Sequence, residues 1–279
     1  MSLRSTQLLA ASERYSTGFR HGTVPAGTSR GLAVSIVGDP AVDPHRAFGL
    51  APGDALIARS TEPQLTATMR ADLAVARDLG ARRVLHIRST PTPDSPTVAA
   101  DLQTDLAALR SDAQLSGLDV YVTTYDVTSG QLAPPEPHAT DPELAAILAA
   151  NEQHRTEFHA PVRSGESRHL SVVTCMDSRI DPEKILDVAV GALTVRRNAG
   201  AHVTEEVLRG LAADVATHGS VDVLVLVHED CKARPDRAER MRGLRADGAH
   251  IAEHTGNPDE VQAMTASYDV HTGRLIELQ

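Results

Sequence analysis

Short apolar runs bounded by Gly, Pro and Asp alternate along the chain with longer segments whose apolar positions recur at helical spacing. Residues 32–37, 55–59, 83–88, 120–127, 169–174 and 221–227 read as strands. Residues around 7–15, 65–79, 98–110 and 203–218 read as helices; in the last of these Val207, Leu208, Leu211 and Val215 share one face. This alternation predicts an α/β fold with mostly parallel sheets flanked by helices. The stretch from 169 to 227 reads as strand, helix, strand, so its two strands should run parallel with a right-handed crossover. Their C-terminal ends then share one edge of the sheet, where open α/β folds bind their ligands. The first strand breaks into Cys175-Met176-Asp177-Ser178-Arg179 and the second into His228-Glu229-Asp230-Cys231.

The pattern also repeats. Leu8 to Glu13 correspond to Ile147 to Glu152, Phe19 to Phe158, Ser29-Arg30 to Ser167-Arg168, Asp39 to Asp177, and Asp43-Pro44 to Asp181-Pro182. Near the ends, Tyr125 to Leu132 answers Tyr268 to Leu275. A period this long predicts two copies of a whole domain: residues 1–132, a linker over 133–140 containing Pro134, Pro135 and Pro137, and residues 141–279. Asp141 followed by Pro142 predicts a capped helix start. The copies differ in chemistry. Val37 stands in the place of Cys175, Ala41 in that of Arg179, and Ser89 and Thr92 in those of His228 and Cys231; only Asp39 is kept.

Composition narrows the class. Apolar residues make up 41% of the chain but aromatics only 3%, so Ala, Val and Leu must fill the core. A formal charge of -10 with scattered basic residues argues against a nucleic-acid partner. No apolar run reaches membrane-spanning length, and residues 1–20 lack the features of a signal peptide. The expectation is a cytoplasmic protein without membrane or nucleic-acid partners, whose two cysteines stay reduced and so suit a metal.

Cys175, His228 and Cys231 form a ligand set suited to zinc, with a fourth position left over. Singly, each has a duller explanation, since a buried Cys is most often a small core residue. Both of the chain's cysteines falling in this geometry is what favours the metal. Zinc lowers the pKa of water bound to it toward roughly 7. Two thiolates offset the zinc charge, so neighbouring groups must help hold the nucleophile. Asp177 can accept a hydrogen bond from a zinc-bound hydroxide, and Arg179 can keep Asp177 ionised and turned from the metal. As a plain surface ion pair the two would matter little.

Cys175-x-Asp177-x-Arg179, Arg197-Asn198-Ala199-Gly200 and His228-x-x-Cys231, in that order, resemble the signature of the β-class carbonic anhydrases. Residues 268–275 resemble that family's last strand and turn. The resemblance covers nearly all of 141–279 and, in degenerate form, 5–132. It implies two tandem β-carbonic-anhydrase-like domains. Cys175, His228 and Cys231 would be the Zn2+ ligands, with Asp177 and Arg179 a catalytic dyad. In one state of such enzymes the aspartate takes the fourth zinc position. The implied reaction is reversible hydration of CO2 to bicarbonate by a zinc-bound hydroxide. Alternatives are a COS/CS2 hydrolase and a non-catalytic zinc- or bicarbonate-binding module. Active sites of this family lie at a dimer interface, so the repeat implies an intrachain pseudo-dimer, with further homo-oligomerisation left open. Lys232 replaces the family's usual Gly after the second cysteine. Asn198, Ala199 and Gly200 read as a turn, and His86, His218 and His254 as structural or exposed. Low apolar content between 231 and 268 predicts a reduced helical cover.

Overall fold

The computed structural model describes residues 3–137, 141–159, 169–255 and 259–278. Positions 138–140 of the expected linker and the Ser167-Arg168 match lie outside them. The first half holds α1 (Leu3–Thr17), β1 (Leu32–Gly38), α2 (Pro44–Phe48), β2 (Ala55–Arg59), α3 (Ala67–Asp78), β3 (Arg83–Thr90), α4 (Pro96–Ser111), β4 (Asp119–Asp126) and β5 (Gln131–Leu132). The second holds α5 (Pro142–Thr156), β6 (His169–Cys175), α6 (Pro182–Ile185), β7 (Leu193–Asn198), α7 (Glu205–His218), β8 (Val221–His228), α8 (Arg237–Thr255), β9 (Val261–Asp269) and β10 (Arg274–Leu278).

The ten strands of the described residues lie in one sheet, ordered β10-β9-β8-β6-β7-β2-β1-β3-β4-β5. Within each half the pairs are parallel except for a terminal antiparallel strand, β5 or β10. The halves join at β2 and β7, which meet antiparallel at Arg59 and Arg197. Inner strands covered on both faces should be apolar throughout, and β8 is buried at every position. One buried apolar cluster crosses the seam, from Leu56 and Leu73 to Val172 and Met176.

The expected parallel strands at 169 and 221 are neighbours, β6 and β8. The chain between them makes a further strand, β7, on the other side of β6. That strand escapes an apolar reading because Arg196 and Arg197 lie within it, both buried. Arg196 pairs with Asp214 at 2.8 Å, and Arg197 donates to the carbonyls of Cys175, Asp177 and Ile180. The expected thin cover after Cys231 is also corrected. α8 runs for 19 residues and buries Met241, Leu244 and Ile251 against the β8 side of the sheet. Its Arg240 is buried too, its charge met by Glu229 at 3.1 Å.

Helix starts follow local chemistry. The Asp141 carboxylate accepts from Glu143 N, with Pro142 in the first turn, and Thr66 and Thr204 cap α3 and α7 through their hydroxyls. Two helices cross between the halves. α1 packs on α6 and β10, and Ser12 Oγ accepts from Leu275 N at 3.0 Å. α5 packs on α2 and β5. There Asn151 Oδ1 accepts from Leu132 N at 2.8 Å, while its Nδ2 donates to the Ala47 and Gly130 carbonyls.

Candidate metal centre

β6 and β8 end side by side, so the residues following them share one rim of the sheet. Cys175 is the last residue of β6, His228 the last of β8, and Cys231 closes the turn after it. Their ligand atoms all lie within 4.8 Å of one another, the one such group of buried His, Cys, Asp or Glu side chains among the described residues. The two sulfurs are 3.7 Å apart. Zinc–sulfur bonds of 2.3 Å in a tetrahedron place two sulfurs about 3.8 Å apart, so the spacing fits.

His228 supports the same fit. Its Nδ1 donates to the Glu229 carbonyl at 2.8 Å, which fixes the tautomer and leaves Nε2 as the acceptor. Nε2 is buried and has no hydrogen-bond partner. A buried acceptor left alone costs free energy unless something occupies it, and a cation between the sulfurs would. The thiols lean the same way. The hydrogen bond from Cys175 holds Cys231 well below the usual thiol range despite burial, with His228 adding to the effect. Cys175, hydrogen-bonded to Cys231 and wholly buried, is held up. Two sulfurs sharing one proton at this distance form a site in which a cation can replace the proton.

Asp177 stands outside this group, its carboxylate gripped by Arg179. Oδ1 accepts from Arg179 N at 2.9 Å and Nε at 3.0 Å; Oδ2 accepts from Nε at 3.1 Å and Nη2 at 2.7 Å. Burial alone would lower the Arg179 pKa, but hydrogen bonds and charge from Asp177 and Asp230 outweigh it and leave it raised. Asp230 escapes sequence reasoning. Its φ of 54° turns the chain so that its Oδ2 and carbonyl both meet Arg179 at 3.2 Å, and no residue pattern announces that turn. Lys232, the departure from the family pattern, points at Asp230 Oδ1, 3.0 Å away, and is half exposed.

The first half forms one wall. The Val24 carbonyl accepts from Arg179 Nη1 at 3.3 Å. Ser178 Oγ accepts from Gly53 N and Ala55 N, Met176 O from Ile57 N, and Leu56 bridges Asp177. From α3, Asp72 Oδ1 accepts from Ala199 N at 2.9 Å, beside the Asn198 that pairs with Cys175. Burial pushes the Asp72 carboxyl up to about 7, against the lowering by that hydrogen bond. Of the expected turn at 198–200, Ala199 and Gly200 form it, with Gly200 at φ 88°, while Asn198 is still the last residue of β7. His86 is buried between Ser35 and Asp105, and His218 stacks on His169.

Residues 170–267 match the family model described as "Carbonic anhydrase". This part of the chain is similar to the carbonic anhydrases, and to their β class through the relatives that follow. Over 84 residues the chain is 37% identical to Beta-carbonic anhydrase 1 of Mycobacterium tuberculosis, a match over 30% of this chain and 52% of that protein. Over 65 residues it is 34% identical to a carbon disulfide hydrolase of Acidianus sp., covering 23% and 32% respectively. A solved carbonic anhydrase from Streptococcus mutans is 25% identical over 50% of this chain and 99% of that one, with a TM-score of 0.42. The chain thus spans about half the length of the mycobacterial carbonic anhydrase. The matched region of the carbonic anhydrase family runs from the start of β6 almost to the end of β9 and contains all three candidate ligands. No helix among the described residues is long and apolar enough to cross a membrane.

Proposed function

We propose that the chain is a zinc-dependent carbonic anhydrase that reversibly hydrates CO2 to bicarbonate at one site, held by Cys175, His228 and Cys231. The observation that carries this is the pair of sulfurs at 3.7 Å facing an unpartnered His228 Nε2. When held there, zinc supplies a Lewis acid that makes water nucleophilic near neutral pH. Asp177 does the positioning. Arg179 holds it oriented, so its carboxylate can accept a hydrogen bond from the attacking water and aim a lone pair at the carbon of CO2. His228 keeps its imidazole fixed through Nδ1, and the Val24–Leu56 side of the cleft limits access of bulk water.

In the same reading, residues 1–132 and 141–279 are copies of one domain joined by residues 133–140. The first has lost its ligands and serves as a built-in partner. The sheet order that reads alike from either edge and the reciprocal helices α1 and α5 support this. A reducing cytoplasm suits two free ligand thiols.

Zinc analysis paired with CO2-hydration kinetics tests the enzyme. One zinc per chain and turnover that collapses in Asp177→Asn are expected; equimolar zinc without hydration at pH 7–9 would leave a non-catalytic binding module. The resemblance to carbon disulfide hydrolases favours one other reading, attack on COS or CS2, which side-by-side turnover on the three substrates separates. Residues 139–279 expressed alone should lose activity; full activity from a monomer would remove the partner role.

A further inference from the structure

α8 contains an interior glycine, Gly243, where glycine costs about 1 kcal/mol relative to alanine. A Cβ there would lie 1.8 Å from Nη2 of Arg234. On the facing turn Gly200 sits at φ 88°, and a Cβ there would lie 2.5 Å from Arg234 Cδ and 2.7 Å from Cγ. Two glycines on separate elements thus open a slot that one arginine fills. Arg234 is 7% exposed. Its Nη1 donates to the Gly200 carbonyl at 3.3 Å, its Nη2 to the Glu239 carbonyl at 3.4 Å, and Asp247 stands 3.9 Å away. Its own carbonyl accepts from Arg240 Nη1 at 2.6 Å.

What this slot joins gives it meaning. Arg234 follows Cys231 by three residues, and its backbone N–H approaches the Cys231 sulfur. Gly200 lies two residues beyond Asn198, which pairs with Cys175 and accepts from Met176 N at 3.0 Å. The side chain therefore ties the turn carrying one sulfur to the turn after β7, whose last residue pairs with the Cys175 that carries the other, and α8 closes over the tie. We infer that Arg234 is a positioning residue for the metal centre, its guanidinium locked between Gly200 and Gly243 so that Cys231 is held at ligand distance from Cys175. A planar fork with donors on two sides can reach both carbonyls; a lysine cannot.

The inference rests on the metal reading above, so its test reads metal binding rather than turnover. Zinc affinity is measured by chelator competition on the full chain, and the cobalt-loaded protein gives the thiolate-to-metal and d–d absorption bands. Arg234→Lys keeps the charge and removes the fork, while Gly243→Ala keeps the arginine and fills its slot. Both should weaken zinc roughly 10- to 100-fold, as loss of groups that orient ligands does, and both should shift the cobalt bands. Arg242→Ala, an exposed arginine on the same helix, should change neither. Folded Arg234→Lys and Gly243→Ala variants with wild-type affinity and unchanged cobalt bands would overturn the positioning role and leave the metal site standing. A wild-type chain that binds neither metal would instead remove the metal reading, and this inference with it.

Discussion

The two ends of the seam face the same problem with different side chains. In the second half the rim after β6 and β8 carries Cys175, Asp177, Arg179, His228 and Cys231. In the first half the rim after β1 and β3 carries Val37, Asp39, Ala41, Ser89 and Thr92. The backbones correspond strand for strand, yet only one rim gathers soft ligands. The first half has its polar groups deeper, where Ser35, His86, Asp105 and Arg88 satisfy one another at 2.6–3.0 Å inside the sheet–helix layer. His86 has a partner on each ring nitrogen; His228 has one only, and its spare nitrogen faces two sulfurs. Polar side chains that complete each other stabilise a fold, whereas a buried ring nitrogen left bare beside two sulfurs marks where a cation belongs.

The sharpest way to break this contrast is to make the rims alike. Cys231→Ser should abolish zinc retention, read by elemental analysis, and take CO2 hydration to background; retained zinc with activity would mean the sulfurs are not the ligands. Asp177→Asn should keep its zinc and lose roughly 10²-fold in kcat/KM, the usual scale for a positioned acid–base group. An unchanged rate would reduce the Asp177–Arg179 pair to a structural tie. The exchanged helices give a paired test. Asn151 satisfies three backbone groups and Ser12 one, so Asn151→Ala should cost about 2–3 kcal/mol and Ser12→Ala about 1, by urea denaturation. Equal costs would show that the two crossings are not energetically graded by those bonds. The last prediction concerns Asp72. Its carboxyl is pushed up from 3.8 to about 7, so the folded state binds more protons than the unfolded one between those values. Stability should therefore fall as pH rises from about 4 to 7. Asp72→Asn, which can still accept from Ala199 N, should flatten that slope and gain about 1–2 kcal/mol at pH 8. A wild-type profile without the decline would show that Asp72 ionises normally.

The parts of the molecule legible in the sequence are those where residue type and spacing act alone. β2 carries the expected bounds, α7 and β8 fall within a residue or two of them, and the Asp141-Pro142 helix start is as anticipated. The three candidate ligands could be picked out because both cysteines follow apolar strands. What stayed hidden depends on partners distant in sequence. β7 reads as polar until Asp214 and a set of main-chain carbonyls are placed around Arg196 and Arg197. α8 looks like a solvated stretch until Arg234 and Arg240 turn inward. The grip of Asp230 on Arg179 depends on one left-handed residue. Buried arginines mislead a reading by hydropathy because the pattern records their charge and not the acceptors that neutralise it.

The reciprocal placement of α1 and α5 also sets an order of events on the ribosome. α5, encoded after the linker, covers the surface of β5 and α2, so a nascent chain that ends at residue 137 leaves that surface bare. α1 is made well before β10 but must wait for it. The first half cannot be finished before the second has begun, and α1 has its full seat only once β10 has been made.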